Sequence, residues 1–383
     1  MKKCLSLLLL TLLLLAAAAC SRGNGAASSA PAEASSAPAP TVYRNPLTGE
    51  VTEKDLTAYC PIAVMLNTAH AALPQSGNSK ADMYYEVPEE GGITRIMAFY
   101  QDVTDVGWIG PIRSTRPYFV RLAVGQDALL THCGGSRKAY TIIQKYMKKA
   151  DFNDIDALNH GTNCGWSWFQ RSEERLEAGY ALEHTLYIHS DKLQDFLKEK
   201  KDTIRRKHKG DSHEPSLLFT EDGTPEEGSF AKEIKVTMSS VKNTGFQYDD
   251  EKGVYKVSEF DEPYMDERAD KQVTVENVLL LQTDISVNEA SSLGHLTVIL
   301  TGKGPGYYAS GGKFIPITWE KKDVESQQHF FKEDGTELQV VVGKTYICIV
   351  DKSRDIAIDG HIEAKPSDAD ESNAEVDNMA EVG

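Results

Sequence analysis

The stretch Asp82–Tyr118 (DMYYEVPEEGGITRIMAFYQDVTDVGWIGPIRSTRPY) most restricts the folds open to this chain. Apolar runs of strand length are cut by Pro88, by Gly91-Gly92 and by Gly110-Pro111, and charged residues gather around those breaks. They are Glu86, Glu90, Arg95, Arg113 and Arg116. Gly and Pro between apolar runs mark turns, which places these groups where strands end. The span is therefore read as the floor and rim of a pocket.

The flanking sequence supplies a scaffold for it. Pro61–Asn67 (PIAVMLN) has the length and unbroken apolarity of a strand buried on both faces, and Ile93–Tyr100 is a strand with Arg95 as its one charge. Ser114 is read as the cap of a helix running from about Arg116 through Val124, with Pro117 in its first turn. Ala128–His132 is a third strand, and Ser136 caps a helix through Lys149. Strand, polar turn and helix in succession predict an α/β (or α+β) N-terminal domain over 43–202, with functional groups at strand ends. The charged stretch 203–230 reads as a linker. Over 231–360 the texture changes to short strands, including a hairpin in Gly245–Val257, and a mostly antiparallel β C-terminal domain is expected. Gly302–Gly306 (GKGPG) lacks the Walker spacing and is read as a turn.

The ends of the chain carry a different message. Lys2 and Lys3, the apolar run Leu5–Ala19 and the small residues before Cys20 form a secretory signal over 1–19 that ends in a lipobox. Cys20 is the expected acylation site, and two or more acyl chains would hold the protein on the outer face of the cytoplasmic membrane. Residues 20–42, rich in Ala, Ser and Pro, read as a flexible tether, and 361–383 as an acidic disordered tail. A formal charge of −16 leaves no basic face for phosphates and excludes a nucleic-acid partner. Cys60, Cys133, Cys164 and Cys348 are read as free thiols, with no metal or cofactor expected.

Several residues suit chemistry. Glu86 and Glu90 could act as an acid and base pair on a glycan; the plain alternative is that one of them pairs with Arg95 or Arg113 and fixes a turn. Arg95, Arg113 and Arg116 present planar forks suited to carboxylate or phosphate, or serve as structural ion pairs. His132 stands before a Gly-Gly-Ser turn whose Ser136 opens a helix, a place for a general base or a hydrogen-bonded structural group. His184 would be a better base for Cys133 than its neighbour His132, because adjacent strand residues point to opposite faces. His160 and Cys164 have a metal-ligand spacing only if helical, which Gly161 opposes. Trp166, Trp168 and Phe169 suit either stacking on sugars or hydrophobic packing.

In this order, Asn45–Gly49 (NPLTG), PIAVMLN, Pro74-Gln75-Ser76-Gly77, the Tyr85–Arg95 block, Gly110–Ser114 (GPIRS) with Arg116-Pro117, and His132 with Gly134-Gly135-Ser136 resemble the YerB-like bacterial lipoproteins, the DUF3048 family. Asn277-Val278, Gly302–Gly306, Trp319 and Asp334-Gly335 extend the likeness into the second half. The resemblance implies a two-domain, lipid-anchored protein of Gram-positive-type cells and brings no established reaction. Two functions follow as expectations. One is an envelope protein binding a polar or anionic cell-wall component such as peptidoglycan; the other is a peptidoglycan hydrolase or transferase using Glu86 or Glu90 with His132.

Overall fold

The computed structural model describes residues 42–57, 59–148, 154–158, 166–200, 216–288 and 291–363. Its first half contains β1 (Ile62–Asn67), β2 (Met83–Pro88), β3 (Thr94–Tyr100), helix α1 (Pro117–Gly125), β4 (Leu129–His132), helix α2 (Arg137–Lys148), β5 (Asp154–Asp156), β6 (Phe169–Arg171) and β7 (Leu186–His189). Its second half contains β8 (Glu233–Thr237), β9 (Asn243–Asp249), β10 (Val254–Glu259), β11 (Asn277–Thr283), β12 (Gly302–Ser310), β13 (Lys313–Lys321), β14 (Thr345–Asp351) and β15 (Ile356–Ile358). Every residue of β1, β2 and β3 is buried, Glu86 and Arg95 included, so these two charges must find their partners inside the fold.

One eleven-stranded sheet joins the two halves, in the order Ser229–Phe230, β13, β12, β11, β14, β2, β3, β1, β4, β5, with His329–Lys332 also paired to β13. The junction is β14 against β2, parallel, with Thr345 opposite Met83 and Cys348 opposite Glu86. The segments 43–202 and 231–360 thus share a sheet, and part of 203–230 is woven into the fold. Leu218–Thr220 pairs with Gln339–Val341, and Ser229–Phe230 pairs with β13.

Alternate residues of the central strands feed two cores. Val64, Leu66, Tyr84, Ile96 and Tyr346 face a second, antiparallel sheet and pack against Ile234, Val236, Phe246 and Val257 from β8, β9 and β10. Met65, Met83, Tyr85, Val87 and Phe99 face the other way, onto Phe119, Leu122 and Ala123 of α1 and Ile143 of α2. The second half is strand-rich and mainly antiparallel, as expected. The first half fits the α+β form of the expectation better than the α/β form, because β1, β2 and β3 run antiparallel and, within that half, the parallel pairs are those of the β1–β4–β5 edge. Apolar runs reveal that a strand is buried but not which way its neighbours run.

Smaller expectations divide. Ser136 caps α2, its Oγ accepting the Ala139 N–H at 3.3 Å. For α1 the cap residue is Arg116, with Pro117 first in the helix, while the Ser114 carbonyl accepts from Arg95. Gly302–Gly306 is a strand and not a turn. A Cβ on Gly304 would lie 2.6 Å from Trp319 Nε1, and one on Gly306 2.5 Å from the Leu280 carbonyl. Those glycines allow close approach within the sheet. Cys60, Cys133 and Cys348 are not disulfide-bonded. Cys20, His160 and Cys164 lie outside the described residues, and among the described residues no helix is long and apolar enough to cross a membrane.

Candidate functional site

The residues expected to form one pocket fall into four environments. Glu86 is fully buried between the sheets. Its Oε1 accepts from Thr94 Oγ1 at 2.6 Å and its Oε2 from Thr244 Oγ1 and Tyr346 OH, both at 2.8 Å. Lys242 Nζ is 3.0 Å from Oε1. Every lone-pair direction open to this carboxylate already meets a donor. Buried and fully engaged, it is closed to any substrate from outside.

Glu90 follows Pro88 at the end of β2, and it teams with Glu89 rather than Glu86. Arg116 donates from Nε to Glu90 Oε1 at 2.6 Å and lies 2.8 Å from Glu89 Oε1 through Nη2. Arg95 is paired with Glu89, and His295 Nε2 is 3.3 Å from Glu90. Burial pushes the Glu89 carboxyl up and the Arg95 guanidinium down, while their mutual contact opposes both shifts. These charges neutralise one another, so Arg95 and Arg116 act as structural ion pairs holding the end of β2 to the start of α1.

His132 ends β4 with no exposed surface. Its Nδ1 is 2.8 Å from the Gly134 carbonyl and its Nε2 is 3.2 Å from Asp154 Oδ2. Asp156 lies beside it and accepts from the Gly134 N–H at 2.7 Å and Tyr140 OH at 2.7 Å. Both ring nitrogens are engaged in fixing the turn that launches α2. Glu86 and His132 also lie on opposite faces of the main sheet. Glu86 shares its face with Tyr84 and Leu66, whereas His132 shares that of Leu130 and α1. Three strand spacings of about 4.8 Å each separate them along the sheet. Glu86, Glu90 and His132 do not converge into an acid and base set.

Arg113 is the exception. Residues 112–113 lie in a groove of backbone partners: the Ile112 N–H reaches the Leu186 carbonyl at 2.7 Å, the Arg113 N–H that of Met65 at 2.9 Å, and the Cys133 N–H that of Arg113 at 3.0 Å. Above this floor opens a cleft of about 370 Å³, lined by Ile112, Arg113, Cys133, Arg171, Glu183 and Leu186 among others. The Arg113 side chain retains 29% exposure, and its ion pair with the more exposed Glu183 is long, at 3.5 Å. Arg171, at the end of β6, is braced by the Leu182 carbonyl and by Thr185 Oγ1 at 3.1 Å. Burial pushes the Cys133 thiol up, so it is a wall and a poor nucleophile. His184, beside the cleft, has Nδ1 2.9 Å from the Asn67 amide, and burial pushes its pKa down. Trp168 packs edge-on against Phe196 at 4.9 Å, and Phe169 is buried, so both are core residues.

The sequence pointed to Arg113 but missed Arg171, Glu183, Glu89 and Lys242. Local pattern offered a signal only for Glu89, which sits next to Glu90 behind Pro88. The others reach their sites through pairings that no short window contains.

Comparison with known proteins covers most of the folded chain. The profile described as Protein of unknown function (DUF3048) N-terminal domain matches residues 47–204, and that of the DUF3048 C-terminal domain matches 234–347. The protein of Bacillus subtilis (strain 168) named "Putative lipoprotein YerB" is 29% identical over 306 residues, covering 80% of this chain and 85% of that protein. The crystal structure of YerB from Bacillus subtilis superposes with a TM-score of 0.67 at 26% identity, over 82% of this chain and 99% of that one.

Proposed function

Since this chain belongs to the DUF3048 family, we propose that it is an extracytoplasmic envelope protein, lipid-anchored through Cys20, that binds a small anionic group of a cell-wall component between Arg113 and Arg171. The observation carrying this reading is that both residues line an open cleft, where the Arg113 side chain keeps 29% exposure and a long ion pair, while Arg95 and Arg116 are held tightly by carboxylates of the protein itself. Planar forks spaced around a partly apolar floor suit a carboxylate or phosphate on a larger polymer. Glu183, loosely paired with Arg113, is placed to swing aside when a stronger anion arrives. The relative named as a lipoprotein and the Lys2–Cys20 sequence support the anchor.

Retention on purified sacculi tests the binding. Arg113→Ala combined with Arg171→Ala should cut retention at least tenfold, about 1.4 kcal/mol, with the unfolding midpoint little changed. Unaltered retention would remove the cleft from the account. The anchor has its own test: Cys20→Ala should move the protein from the membrane fraction to the medium or leave it unprocessed.

A further inference from the structure

One cluster lies apart from the cleft. Lys242, Glu86 and Glu259 are buried together between the two sheets, with at most 1% of any side chain exposed. The β9–β10 register sets Thr244 opposite Glu259, and Lys242 precedes Thr244 by two residues, so Lys242 and Glu259 are diagonal neighbours. Lys242 Nζ touches Glu259 Oε2 and is 3.0 Å from Glu86 Oε1. The Phe260 ring lies 4.8 Å from Nζ, and Phe246 packs edge-on against Tyr346.

We propose that Lys242 and Glu259 become joined by an isopeptide bond between Nζ and Cδ, with Glu86 moving the protons. Three observations carry this. First, Tyr346 has one hydroxyl hydrogen but sits 2.8 Å from Glu86 Oε2 and 3.0 Å from Glu259 Oε1. With both carboxyls ionised, one oxygen would face only a lone pair, so a proton on one of them completes the line. Second, Thr94, Thr244 and Tyr346 each give Glu86 a donor, so its oxygens do not depend on Lys242 for hydrogen bonds. Third, a single neutral amide replaces two ionisable groups whose charged forms are costly to hold in a dry interior. Burial also pushes the Lys242 pKa down, against the pull of Glu86, which favours the nucleophilic amine.

The atoms balance. The neutral Lys242 amine attacks the Cδ of the protonated Glu259 carboxyl, and the new C–N bond forms. Glu86 takes a proton from nitrogen and returns it to the departing hydroxyl oxygen. The C–O bond breaks, and one water leaves. No oxidant, nucleotide or metal is required.

Tryptic digestion of the denatured full chain, followed by tandem mass spectrometry, tests the bond. The expected product is one branched peptide joining the Lys242 and Glu259 segments, lighter by one water than the two together, with no cleavage after Lys242. Complete recovery of the two linear peptides, cut after Lys242, overturns the proposal. Glu86→Gln, checked for folding by circular dichroism, should lower the joined fraction at least tenfold; undiminished joining would overturn the role of Glu86. Should that variant fail to fold, Tyr346→Phe keeps the ring and should likewise reduce joining, undiminished joining excluding the proton line.

Discussion

Glu86 and Arg113 come from one stretch of sequence and end in opposite circumstances. Glu86 is closed in by two sheets, its oxygens shared among Thr94, Thr244, Tyr346 and Lys242. Arg113 lies at the mouth of a cleft with one long, half-exposed ion pair. A charge sealed with its partners contributes order, since its removal strands the others in a dry interior. A charge left half-wet with a loose partner contributes little to stability and is free to meet a ligand. Residue type alone does not separate the two cases; the surrounding partners do.

The comparison can be broken most forcefully from the Glu86 side. Glu86→Ala should cost about 3–5 kcal/mol in urea unfolding because it orphans buried donors, whereas Arg113→Ala should cost under about 1 kcal/mol. Equal losses would erase the distinction. A smaller effect is expected at the α2 cap, which anchors the wall near Cys133. Ser136→Ala should cost about 1 kcal/mol in the same assay and leave sacculus retention intact.

His184 sharpens the contrast through pH. Its imidazole is depressed in the folded state, so the unfolded chain binds more protons as pH falls through about 6.5. The neutral ring's contribution is therefore present above that pH and lost below it. His184→Gln, which can still accept from Asn67, should flatten the part of the stability profile that falls as pH drops below about 6.5. An unchanged profile would assign that slope to other groups.

How much of this was written locally is clear from individual residues. Ile62–Asn67 and Met83–Pro88 announce buried strands because every side chain is enclosed, and Ser136 announces its helix because a cap acts within one turn. The partners of Glu86 could not be read. Thr244, Lys242 and Tyr346 lie far along the chain and reach it only after β14 pairs with β2 and the second sheet closes over both. His132 likewise became legible as structural only when β5 brought Asp154 and Asp156 to its ring. Periodicity tells each strand which faces to hide; it carries no address for its neighbour. The cleft proposed as the site, at Arg113, has a floor set by strand ends and takes its second arginine from β6, a strand too short to be noticed.

The pairing of β14 with β2 has a consequence for how such a protein is made. A chain synthesised from its N-terminus delivers Met83–Pro88 long before Thr345–Asp351. During that interval the hydrogen-bonding edge of β2 is open, and closure must wait for contacts of very long sequence separation, which slows folding and invites wrong pairing. An emerging chain of this design needs its edge guarded until synthesis is nearly finished, and a truncation before residue 345 would release a half that never acquires its neighbour.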